Sequence, residues 1–165
     1  MERRTEIRFR FQSTFWYDIS PTGAGGIDAV GHYTSDTAFF SAECDTNGVY
    51  AALSQSGNRW EFTLQPPRGS GPLRPVTYDV MPGLFDLTRT LLRINGPSIF
   101  NGLSYVCSDG MARVVVQEVE YRTTGEIDRF VATIDQQCAR SERFRGEIRL
   151  TRPPRPVGPA PSCIP

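Results

Sequence analysis

Residues Ser98–Leu150 read SIFNGLSYVCSDGMARVVVQEVEYRTTGEIDRFVATIDQQCARSERFRGEIRL, and this stretch decides the fold. Ile99 to Cys107 reads as a strand, turned by Ser108-Asp109-Gly110. Ala112 to Arg122 is long and rich in valine, and Thr123-Thr124-Gly125 turns the chain again. Ile127 to Cys138 puts Phe130, Ala132 and Ile134 on one face. Phe144, Gly146, Ile148 and Leu150 then alternate with Arg145, Glu147, Arg149 and Thr151. Alternation with period two is the mark of a strand with one buried face, because successive side chains point to opposite sides of the pleat.

The same signal recurs upstream. Ile7, Phe9 and Phe11 alternate with Arg8 and Arg10, and Phe15-Trp16-Tyr17 continues or restarts that strand. Ile27 to Thr34, Ala38 to Cys44, Val49 to Gln55, Trp60 to Leu64 and Thr77 to Val80 read as further short strands. Asn47-Gly48 suits the positive-φ positions of a type I′ hairpin turn, and Ser56-Gly57-Asn58 turns the chain into the next strand. Pro21–Gly26 is a loop, and residues 65–76, with four prolines and two glycines, form the longest irregular stretch. Leu84 to Ile94 is ambiguous between a helical turn and the lead into a strand. About ten strands with turns at regular spacing predict an all-β protein with little helix, an antiparallel β-sandwich or, alternatively, a closed β-barrel. One domain is expected over residues 1–151. Residues 152–165 are a proline-rich tail that reads as an extended tether.

Composition excludes several function classes. The 18 acidic residues balance 18 basic ones, so no electrostatic case exists for nucleic acid or an anionic membrane. All the basic residues are arginine, which removes Schiff-base and lysine general-base chemistry. No apolar run is long enough to span a bilayer. Met1-Glu2-Arg3-Arg4 is followed by Ile7-Arg8-Phe9-Arg10-Phe11 and not by an apolar core, so no export signal is expected in this sequence: either it is a mature fragment whose signal is left out, or the protein stays in the cytoplasm.

The four cysteines show no C-x-x-C spacing and accompany a single histidine, so no zinc site is expected and a disulfide framework is. Cys107 with Cys138 is the expected pair, because their strands run the same way in a meander and end at the same side. Strands two places apart lie roughly 9.6 Å from each other, whereas a disulfide needs a Cα separation of about 4.4–6.8 Å. The pair therefore requires a bent strand end, or else the Ile99 strand belongs to the opposite sheet. Closing this loop stabilises by roughly 3–4 kcal/mol on the chain-entropy model. Cys44 and Cys163 could pair and pin the tail to the body, or remain thiols. If that framework forms, the expected compartment is outside the cytoplasm, secreted or periplasmic.

The segment Gly102–Cys107, the Val116-Gln117-Glu118-Val119-Glu120-Tyr121 strand, the Phe130–Cys138 strand and Arg145-Gly146-Glu147-Ile148-Arg149 resemble a group of uncharacterised, secreted bacterial β-sandwich proteins from GC-rich genomes. Their pattern is a cysteine-bearing strand, then V-x-E-V-x-Y, F-x-A-x-F-x-Q-H-C and G-x-I-R. Gln137 stands here where that pattern has histidine, and Ile134 where it has phenylalanine. The resemblance covers about a third of the chain and implies fold and compartment, with no activity attached.

Candidate chemistry is sparse. His32, the single histidine, has no nucleophile elbow beside it and reads as an ordinary strand residue. Glu118 and Glu120 share one strand face about 7 Å apart, a spacing compatible with glycosidase carboxylates; a solvated face balanced by Arg113 and Arg122 is the plainer account. Asp128 and Asp135 offer a second carboxylate pair. Trp16, Tyr33 and Trp60, with Tyr17, are candidates for an aromatic ligand platform, against core packing. No cofactor and no metal is expected. The reading is a non-catalytic extracytoplasmic β-sandwich that binds a protein or glycan partner or serves a structural role. The rivals are a small hydrolase and a lipocalin-like carrier of a small apolar ligand.

Overall fold

A computed structural model describes residues 13–22, 28–36, 39–45, 48–80, 89–100, 103–107, 110–123, 127–138 and 142–151. The expected strand 7–11, the tail from residue 152 and a Cys44–Cys163 link lie outside the described residues and side chains. Eleven strands form, with no helix among the described residues: β1 (Thr14–Pro21), β2 (Ala29–Thr34), β3 (Phe39–Asp45), β4 (Gly48–Gln55), β5 (Asn58–Gln65), β6 (Thr77–Val80), β7 (Leu91–Phe100), β8 (Leu103–Cys107), β9 (Ala112–Tyr121), β10 (Ile127–Cys138) and β11 (Glu142–Thr151). They pair antiparallel in a six-stranded sheet, β2-β1-β11-β10-β9-β6, and a five-stranded sheet, β3-β4-β5-β7-β8. The sheets do not close into a barrel; the protein is a β-sandwich.

Alternation carries over into burial. On β11, Phe144, Gly146, Ile148 and Leu150 face inward while Arg145 and Arg149 face water. On β5, Trp60, Phe62 and Leu64 are the inward set. The centre of the core is aromatic: the Trp60 ring lies 4.4 Å from Tyr17, 5.6 Å from Phe15 and 5.7 Å from Tyr105, centroid to centroid. Trp60 thus joins the two sheets, since Tyr17 and Phe15 belong to one and Trp60 and Tyr105 to the other. Such tilted ring pairs add to the area they bury.

Two expectations shift in detail. The strand expected from Ile99 to Cys107 is two strands. Ile99 and Phe100 end β7, and β8 starts at Leu103 and pairs back onto β7. β7 contains Gly96 and Pro97, with register shifts between Asn95 and Ser98 and again before Phe100. A proline cannot donate to the ladder. A Cβ on Gly96 would sit 2.6 Å from the Trp60 ring, so glycine is what lets the indole lie against the backbone there. Of the turn expected at Asn47-Gly48, Asn47 lies outside the described residues and Gly48 is already in β4, paired with Asp45, where a Cβ would meet the Leu64 carbonyl at 2.3 Å. The hairpin at Ser56-Gly57 forms as expected, with φ of 49° and 86°, the two positive values a type I′ turn needs. Within Leu84 to Ile94, Leu92 and Ile94 are inward strand residues of β7.

The irregular stretch before β6 is not a loose loop. Leu73 is buried at 1% exposure and enters the core. Tyr121 donates its hydroxyl proton to the Leu73 carbonyl at 3.2 Å, and the Arg74 amide donates to the Tyr78 hydroxyl at 2.8 Å. Prolines that leave few donors are tolerated where side-chain hydroxyls satisfy what remains.

Cys107 and Cys138 form a disulfide with a Cα separation of 5.3 Å. Of the two geometries the spacing argument required, the second holds: β8 belongs to the five-stranded sheet and β10 to the six-stranded one. The bond ties an edge strand of one sheet to an interior strand of the other.

Candidate functional site

The outer face of the six-stranded sheet carries most of the residues singled out for chemistry. Register sets their neighbours: Trp16 on β1 stands opposite His32 on β2 and Glu147 on β11, and Asp18 stands between Val30 and Arg145. Trp16 is 39% exposed and Val30 76%, and His32 is exposed as well. Together they make an apolar and aromatic corner along β2, the end strand of its sheet.

The expected platform of Trp16, Tyr33 and Trp60 does not assemble. Trp60 points inward and is 2% exposed, its Nε1–H directed at the Tyr33 hydroxyl 3.4 Å away. Tyr33 also points inward, half-buried against the core beside Tyr17. Burial, together with the neighbouring Tyr33 hydroxyl, pushes the Tyr17 phenol up to about 12. Odd and even positions of a strand lie on opposite faces, so adjacent aromatics such as Trp16 and Tyr17 separate. Of the proposed set, Trp16 alone faces out.

Of the carboxylates considered for hydrolysis, Glu118, Asp128 and Asp135 lie on this same open face engaged by arginines, and Glu120 is exposed. Glu118 pairs with Arg129 at 2.5 Å, Asp128 with Arg122 at 2.5 Å and Asp135 with Arg143 at 2.6 Å. Arg113 pairs with Asp79 and Arg149 with Glu147. The hydrogen bonds from Arg143 hold the Asp135 carboxyl below the ordinary range despite partial desolvation, and Arg145 and Arg113 add to the effect. A general acid for glycoside cleavage needs the opposite, a raised pKa. Val131, outside the apolar core yet only 3% exposed, lies on this face with Arg149 and Glu118 opposite it on the neighbouring strands.

The outer face of the other sheet holds a polar group that sequence reading missed. Glu61 accepts from Arg59 Nε at 2.9 Å, from the Tyr50 hydroxyl at 3.0 Å and from Asn95 Nδ2 at 3.3 Å. Desolvation raises the Glu61 pKa, but the three donors outweigh it and the carboxyl sits below its usual range. Arg59 is two residues from Glu61 on the same strand, but Tyr50 and Asn95 are distant in sequence and only the β4-β5-β7 register brings them together.

At the disulfide end the core turns polar. Gln136 is fully buried with neither amide atom hydrogen-bonded, Glu142 is 3% exposed, and the Tyr105 hydroxyl lies 3.1 Å from Cys138 Sγ. Burial, with Glu142 nearby, raises the Tyr105 pKa. Between the sheets a cavity of about 10 Å³ is lined by Phe15, Leu53, Trp60, Ile94, Phe144 and Ile148, among others. That is room for about one water, far below the several hundred Å³ of a ligand site. Among the described residues, no cluster of three or more His, Cys, Asp or Glu side chains could hold a metal ion, and no helix is long and apolar enough to cross a membrane. Comparison of the chain with protein-family models, curated proteins and solved structures returns no match.

Proposed function

We propose that this protein is a non-catalytic, disulfide-stapled β-sandwich that works outside the cytoplasm as an interaction module, through the corner formed by Trp16, Val30 and His32. The observation that carries the reading is the contrast on one sheet face. Glu118, Asp128 and Asp135 are bound to arginines, while the most exposed large apolar side chain of the described residues, Val30, lies beside an exposed tryptophan. Exposed apolar groups gathered at one place are what partner surfaces use. The buried disulfide supports an oxidising compartment, where such bonds persist. The resemblance to secreted bacterial β-sandwich proteins supports the same compartment. A packed core with space for about one water favours this reading over a carrier of apolar ligands.

The hydrolase reading is tested directly. The protein is incubated with a panel of soluble polysaccharides, and reducing ends are counted. No turnover is expected, and Glu118→Gln and Glu120→Gln should leave the melting temperature within a few degrees of the parent. Turnover that either substitution abolishes would overturn the reading.

A further inference from the structure

We infer that two copies of this chain pair through β2, antiparallel and edge to edge, so that their six-stranded sheets become continuous. The inference deepens the interaction reading above and rests on it. Among the described residues β2 is a sheet edge, and an edge strand offers backbone donors and acceptors to another strand. Natural edges are guarded by charge, proline or brevity. Ala29-Val30-Gly31-His32-Tyr33-Thr34 has no proline and no acidic or basic residue apart from the one histidine. β6, the opposite edge, is guarded: it is four residues long and carries the Asp79–Arg113 ion pair.

The choice of a second copy comes from the strand's own sequence. A continuous sheet requires facing residues to point to the same side, so β2 must meet its copy with odd positions facing odd and even facing even. With Gly31 on the twofold axis, Ala29 faces Tyr33 of the other copy on the inner side, and Val30 faces His32 on the outer side. The inner pairing sets small against large, which is how facing positions fill space. Gly31 faces Gly31, and this is the position where the molecule has no room for a side chain: a Cβ there would lie 2.4 Å from the Tyr17 ring. Charge does not oppose the contact, since no pair in this register brings like charges together, and the whole chain has a net charge of zero. Among the described residues, both faces of β2 are also incompletely covered. Tyr33 leaves the aromatic core half-buried at the edge, and Val30 is 76% exposed. Pairing covers both, and it seats Val30 against His32 of the other copy, which itself stands opposite Trp16.

Sedimentation velocity over a concentration series tests this on the full chain. A reversible dimer is expected. Val30→Arg should weaken it at least about tenfold while leaving the far-UV circular dichroism and melting temperature unchanged, because the side chain is already in water. Register is read by cysteine cross-linking. Val30→Cys mixed with His32→Cys should oxidise to a covalent dimer linked between those positions, and either variant alone should not. A monomer at all concentrations overturns the proposal, as does a dimer indifferent to Val30→Arg or cross-linked in another register. A monomer leaves the non-catalytic reading standing, since that reading falls only on turnover.

Discussion

Removing the Cys107–Cys138 disulfide tests the architecture most directly. The bond closes a loop of 31 residues by sequence separation and joins an edge strand to the opposite sheet. On the chain-entropy model that loop is worth roughly 3.7 kcal/mol at 25 °C. Both cysteines are buried, Cys107 at 0% and Cys138 at 3%, so replacing them also removes packed sulfur from the core. The double substitution Cys107→Ala/Cys138→Ala should therefore cost at least the entropic amount. It avoids leaving a lone thiol that could pair elsewhere. At about 2–4 °C per kcal/mol for a chain of this size, the melting temperature should fall by roughly 7–15 °C. The assay is reversible urea unfolding of parent and variant under oxidising conditions, followed by tryptophan fluorescence. Trp60, buried between the sheets, reports the loss of core packing. A difference below about 1 kcal/mol would refute the reasoning: either β8 is held to β10 equally well by packing alone, or the unfolded chain is already compact across that loop.

Two further outcomes follow from buried and ionised groups. Gln136 is fully enclosed with both amide atoms unpartnered, so Gln136→Met, close in volume and without polar atoms, should stabilise by about 1–3 kcal/mol in urea unfolding. Glu61 and Asp135 both have folded pKa values below the ordinary carboxylate range. Their contribution is therefore fully present above an unfolded value of about 4 and is lost as pH falls through the folded values; the urea midpoint should drop as acid is added below about pH 4, and Glu61→Gln with Asp135→Asn should flatten that drop.

Much of the fold is legible in the amino-acid order because a pleated strand writes its two faces into alternate residues. β10 and β6 have the bounds that alternation assigns them, and β5, β9 and β11 agree to within a few residues. The pairing of Cys107 with Cys138 was legible too, from strand direction. What alternation leaves open is which sheet a strand joins. The break between β7 and β8 falls within Ile99–Leu103, where Asn101-Gly102 carries the same turn signal as Asn47-Gly48 but is masked by the apolar residues on either side, which read as one continuous strand. The choice between a bent strand and an inter-sheet bond was settled by β8 joining the opposite sheet.

The functional residues divide in the same way. From the sequence alone came the exclusions: no lysine, one histidine, no metal-ligand spacing, no bilayer-spanning run. It also determined that Trp16 and Tyr17 lie on opposite faces, because neighbours on a strand always do. Only tertiary structure decided that Trp16 faces water and Trp60 the core, since which face is inner depends on where the second sheet packs. The carboxylates tell the same story. A run of glutamates and arginines on adjacent strands is compatible with a cleft or with a solvated face, and it is register, opposing Glu118 and Asp135 to the strands that carry arginines, that turns them into ion pairs. Non-local register is set by the packing of all eleven strands together, and no local stretch of sequence contains it.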